Sequence, residues 1–181
     1  MAIELTSAAP SFDDPLGLLS ACHSRISAQC ATLIHLSDHL KKHGSDSQAK
    51  QASTKILNYF NTAGSHHHQD EEFDLFPVLT SIATSDGDST IIEAIQTILE
   101  EHTQLESLWH PLASRLTLIA NSYKTNLENL PVESFVNLQR SHIIKEDDLI
   151  FTFARQKLSP AQIVLLGMRM ANRRNISITK K

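Results

Sequence analysis

His67-x-x-x-Glu71 and His142-x-x-x-Glu146 each set an imidazole four residues ahead of a carboxylate, and His102 with Glu106 repeats the spacing. On a helix, positions i and i+4 share one face, one turn apart. A His and a Glu placed this way can grip one metal ion, or the Glu can bridge to a second. A fourth histidine, His23, has no such partner.

Helical spacing also tells which way these residues point. His23 falls in register with Leu16, Leu19, Ile26, Cys30 and Leu33, and His67 with Ile56, Phe60, Ala63, Leu75 and Val78. His102 falls in register with Ile91, Ile95, Ile98, Leu105, Trp109 and Leu112, and His142 with Phe135, Leu138, Leu149, Ile150 and Phe153. Each of four helices therefore carries one His inside its own apolar stripe, and three stripes add a Glu. The neighbours differ: His66 shares a polar face with Asp70 and Asp74, and His68 a mixed one with Leu57, Asn61 and Glu72.

One histidine on an apolar face reads as a hydrogen-bonded core residue. Four of them, accompanied by inward carboxylates, do not. A buried carboxylate without a partner is costly and tends to neutralise. The stripes hold no Lys or Arg to offset it, so bound cations are expected. A mixed imidazole and carboxylate set suits Fe or Mn, and the absence of a Cys set argues against structural zinc. The competing interpretation is a metal-free interaction bundle with a hydrogen-bonded polar interior.

The elements that must position these residues are long helices. Asp14-Pro15 is an N-cap with Pro at the first helical position, opening a helix to about residue 43. After a turn at 44–46, a second runs from about 47 to about 83, with Pro77 expected to kink or end it. Thr90 with Glu93 forms a capping-box pattern for a third, running to about 120 with a kink at Pro111. A polar loop at 121–130 precedes a fourth, from Pro131 to about 157. Ser159-Pro160 opens a short fifth, to about 171. The fold class is all-α: an up-down-up-down four-helix bundle with a short C-terminal fifth helix. The expected divisions are an irregular lead-in at 1–13, the bundle at 14–172 and a basic tail at 173–181. Counting residues back from each turn sets His23 level with His67, and His67 within about one turn of His102. The 121–130 loop must absorb a mismatch between His102 and His142.

Composition bounds the function. A length of 181 residues suggests one domain, large enough to bury roughly 70% of its unfolded surface without disulfides. The net charge of -4 excludes an electrostatically driven nucleic-acid binder. There is no apolar run of membrane-spanning length and no signal-peptide pattern at the N-terminus, so a cytoplasmic protein is expected. Cys22 and Cys30 lie eight residues apart on one helix, too far for a disulfide. His35, His39 and His43 read as a solvated face, and Arg169, Arg173, Arg174, Lys180 and Lys181 as solubilising charge.

With these residues in place, the chain resembles the hemerythrin-like, or HHE cation-binding, family over roughly residues 14–172. The match comprises Asp14-Pro15-Leu16 leading to His23, His67-x-x-x-Glu71-Glu72-x-x-Leu75-Phe76-Pro77, Glu101-His102, and His142-x-x-x-Glu146. The resemblance implies a bundle holding two Fe ions, a non-haem di-iron centre with carboxylate and oxo- or hydroxo-type bridges. His23, His67, His102 and His142 would be terminal ligands, and Glu71 and Glu146 bridges. Oxygen-carrying members have HxxxH on the third helix; here Glu106 takes the second position, so it is expected to ligate in place of a fifth His. Carriers also end in HxxxxD, and Asp147 sits at that spacing, but i+4 points with His142 better and favours Glu146. The implied role is a di-iron protein that handles or senses O2, peroxide, NO or iron. The alternative is an enzyme-like role in peroxide disproportionation or iron-centre repair, since the four-His, two-Glu count also resembles the repair-of-iron-centres proteins. Oligomeric state is left open.

Overall fold

The computed structural model describes residues 11–177, and among them all regular structure is helical. Helix α1 spans Pro15–His43. The second arm is built of α2 (Ser47–Tyr59), α3 (Ser65–Asp70) and α4 (Phe76–Asp86), joined by π turns at Phe60–Gly64 and Glu71–Leu75. The third arm is α5, unbroken over Ser89–Ala120. The fourth is α6 (Val132–Lys145) and α7 (Phe151–Lys157), joined by a π turn at Glu146–Ile150. Helix α8 covers Pro160–Arg173. Each arm packs on two neighbours, α1 on α2 and α6, α5 on α2 and α6, giving the square of an up-down-up-down bundle.

The caps are local chemistry. Asp14 accepts the Gly17 amide at 3.0 Å. A Cβ on Gly17 would lie 2.0 Å from Asp14 Oδ2, so glycine there lets the cap close. The third arm is capped two residues earlier than expected, by Asp88 accepting from Ile91, because an aspartate reaches that orphan amide ahead of Thr90. Ser159 and Gln162 form a complete capping box on α8. Helical structure continues through Pro77, which lies just past the π turn, and through Pro111. Of the basic tail, Arg173 ends α8 and Arg174 caps it; Lys180 and Lys181 lie outside the described residues, as do residues 1–10 of the lead-in.

Two apolar layers fill the bundle. One, toward the C-terminal end of α1, includes Leu33, Leu36, Ile56, Leu112, Leu116 and Phe135. The other, toward its N-terminal end, includes Leu19, Leu79, Ile95, Ile98, Ile150 and Phe151. Burying such side chains stabilises by roughly 1.5–3 kcal/mol each. Between the layers lies a buried polar one containing His23, His67, Glu71, His102, His142 and Glu146. Helix α8 lies across α1, α3 and the adjoining π turn. Its Gly167 packs so close that a Cβ would meet the Phe12 carbonyl at 1.9 Å.

Candidate metal centre

Four helical arms deliver the polar layer, and two π turns set its two carboxylates. Each turn begins at a glutamate: the Phe76 amide bonds back to the Glu71 carbonyl, and the Phe151 amide to that of Glu146. Single π turns of this kind recur at functional sites, where the extra residue re-aims the side chains beyond it. Past Glu146 the shift is visible. Ile150 is fully buried while Leu149, in register with His142 on a regular helix, is 43% exposed.

The side chains converge as two adjoining groups. His23, His67, Glu71 and Glu146 form one, and His68, His102 and His142 the other, with the candidate ligand atoms of each within 4.8 Å of one another. The carboxylates reach across. Glu71 Oε1 is 3.4 Å from His67 Nε2, and its Oε2 is 3.7 Å from His102 Nε2. Glu146 Oε2 lies 3.0 Å from His23 Nε2 and 3.3 Å from His142 Nε2, and its Oε1 lies 3.8 Å from His102 Nε2.

Six of the seven residues singled out from the sequence thus come together. Glu106 does not; it is exposed at the wall of a cavity beside His102. On α5 it lies roughly 80° around from Ile98, the centre of the buried stripe, because two successive i+4 steps drift in one direction. The structure instead brings in His68, placed on a mixed face from its spacing to Leu57 and Asn61. That spacing crosses the π turn at Phe60–Gly64, which rotates everything after it. The run of three histidines at 66–68 was the available signal.

Outer carboxylates orient the rings. His23 Nδ1 is 3.1 Å from Asp147 Oδ1, His102 Nδ1 is 2.6 Å from Glu72 Oε1, and His142 Nδ1 is 3.1 Å from Glu101 Oε2. Lys145 closes on the other oxygen of Glu101. Asp147, weighed from its spacing as an alternative bridge, therefore points outward to His23. Pairing each Nδ1 with a carboxylate turns Nε2 inward, the arrangement that supports imidazole ligands.

The inward-facing atoms crowd one another without completing hydrogen bonds. Among the described residues, nine of the twelve buried side-chain atoms without a hydrogen bond belong to this layer: His23 Nε2, both nitrogens of His67, both oxygens of Glu71 and of Glu146, and Nε2 of His102 and His142. Burial, then the surrounding imidazoles, hold His67 well below the usual histidine range. The same causes take His68 to about 3 and His142 to about 2. All three are neutral, with lone pairs free. Burial also works against the His23 proton, but Glu146 and then Asp147 outweigh it and raise that group. Burial and the neighbouring Glu146 push Glu71 well above the carboxylate range, and burial raises Glu146 against the pull of His23. Two enclosed carboxylates set among imidazoles form a donor set that a hard-to-borderline cation satisfies at once.

Beside the centre is a shell the sequence did not reveal. Asp70 is fully buried next to Glu71, and Asp74 is 7% exposed. Arg173 Nη1 donates to Asp70 Oδ1 at 2.6 Å and, with Nη2, to Asp74 Oδ2 at 2.7 Å. Arg174 Nη2 donates to Asp70 Oδ2 at 2.6 Å. The two arginines read as solubilising charge are thus the clamp that fixes α8 to the second arm.

The chain is 31% identical to an uncharacterized protein of Haemophilus influenzae over 165 residues, which is 91% of this chain and 92% of that protein. The description of the family whose model matches residues 14–154 is "Hemerythrin HHE cation binding domain". A bundle whose middle layer is built to satisfy cations is what that description requires, and the chain belongs to the hemerythrin HHE cation-binding family.

Proposed function

We propose that the chain is a non-haem di-iron protein whose centre takes a small ligand such as O2, peroxide or NO. The observation that carries this reading is the convergence of the unpartnered buried atoms into two adjoining groups, with Glu71 and Glu146 reaching both. His23 and His67 would hold one ion. His68, His102 and His142 would hold the other. The two glutamates would bridge them. His68 restores a fifth imidazole on the second arm. Iron held this way supplies reversible electron and ligand chemistry. The protein's part is to present the imidazoles, keep the first group enclosed, and leave the second reachable. The expected location is the cytoplasm; none of the described helices is long and apolar enough to cross a membrane.

Access supports a ligand-binding role. A cavity of about 510 Å3 opens between the second arm and α5, with His68 and His102 in its wall. The test is metal content per chain of protein purified with iron supplied, together with its optical spectrum. Two irons per chain are expected, and none removes the proposal. Anaerobic reduction followed by air then separates the roles: a stable reversible oxy band marks a binder, and rapid turnover of peroxide marks the enzyme-like alternative.

A further inference from the structure

The same cavity is far larger than a diatomic ligand requires. At about 510 Å3 it is of the size that holds an organic molecule, whereas one water takes roughly 30 Å3. Three packed aromatic rings back one wall, with Trp109 the one partly exposed and Phe60 and Phe135 buried behind it. The Phe60 and Trp109 centroids are 4.8 Å apart, Phe60 and Phe135 5.3 Å, and Trp109 and Phe135 5.6 Å.

The polar part of the lining is one-sided. It includes the carboxylates of Glu72 and Glu106, and neither Lys nor Arg. Glu72 is occupied by His102, but Glu106 has no ion-pair or hydrogen-bond partner among the described residues. Glu106 and Trp109 are i and i+3 on α5, so a carboxylate and an indole face lie one turn apart. That pair matches an ammonium group, through charge and through cation–π attraction. Deeper in, Gln139 is 3% exposed and lines the cavity, and its Oε1 is a buried acceptor with no donor.

We infer that this cavity binds a small aromatic amine, its ring against Trp109, with Phe60 and Phe135 packed behind, and its ammonium at Glu106. The binding rests on the cavity alone. Its consequence, an organic molecule seated against His68 and His102, rests on the proposed function.

Trp109 is the single tryptophan of the chain, so its emission reports the cavity directly. The experiment titrates phenethylamine, 2-phenylethanol and 3-phenylpropionate into metal-free and iron-loaded protein. Saturable change is expected with the amine at concentrations up to about 10 mM, weaker change with the alcohol, and none with the carboxylate. Glu106→Gln, at an exposed position, should cut the preference for amine over alcohol roughly fivefold. Thr103→Phe, exposed on α5 at the cavity wall, should abolish the response while leaving the thermal transition in place. Equal affinity for all three compounds, tightest binding of the carboxylate, or no saturable change in the metal-free protein overturns the inference. Because the metal-free titration needs no iron, its outcome is independent of the metal count that tests the centre.

Discussion

The two halves of the metal-binding layer differ in what stands behind them. The half containing His23, His67, Glu71 and Glu146 is closed, none of these residues being more than 2% exposed. The Phe151 ring stacks on His23 at 5.0 Å, and Asp70, next to Glu71 in the chain, is held by Arg174. The half containing His68, His102 and His142 faces a cavity, and His68 is only partly buried. On the proposed two-ion centre, one half would retain its ion and the other would exchange it. Glu71 and Glu146 reach both groups, so on that proposal a ligand on the open side would be felt on the closed one.

The comparison breaks most completely at those glutamates. Glu71→Gln should abolish retention of both ions, read as metal per chain. In the metal-free protein it should raise stability, by about 1–3 kcal/mol in denaturant unfolding, because a buried carboxylate without a partner is removed. A metal-free Glu71→Gln protein less stable than its parent would contradict this account of the layer. Next in size is the closed half's backing. Removing both arginines, Arg173→Ala with Arg174→Ala, leaves Asp70 buried without a charge partner and Asp74 with only Arg169, at 3.5 Å, and should cost about 3–5 kcal/mol. Thermal unfolding measures it, and a change under about 1 kcal/mol, the value of an exposed pair, would mean the clamp is only a surface contact.

The halves separate under His68→Ala and His67→Ala. The first should halve the iron per chain and leave the remaining ion slow to exchange with chelator. The second should lose the slowly exchanging ion. Identical chelation kinetics for the two variants would erase the distinction. The smallest effects lie in the outer carboxylates. Asp147→Asn and Glu72→Gln each remove the orienting partner of one ring, on the closed and open side respectively. Each should weaken metal affinity roughly 10- to 100-fold without altering the helical content seen by circular dichroism.

Much of this was legible in the chain. The register of His23, His67, His102 and His142 with apolar residues marked the inward faces, and the i+4 positions of Glu71 and Glu146 pointed to the carboxylates. The bundle, its turns and the short last helix were readable from caps and breakers. The parts that stayed hidden have two physical causes. A π turn adds a residue to one turn of helix, so counting by 3.6 across Phe60–Gly64 misassigns His68. Tertiary pairing is invisible to local pattern: Asp70 and Asp74 look solvated until α8 brings Arg173 and Arg174 against them from about a hundred residues away. Glu106 shows the converse, a correct spacing on a helix whose buried stripe is narrower than the motif suggests.

The wide turns that begin at Glu71 and Glu146 carry a further consequence. Each places one glutamate carbonyl opposite an amide five residues on, Phe76 in one arm and Phe151 in the other, a pairing the chain could exchange for the ordinary one by sliding a single residue. A cation gripping either carboxylate pins that arm against such sliding. Deuterium uptake at those two amides would then slow together when the protein is loaded, a backbone signal of occupancy that needs no chromophore.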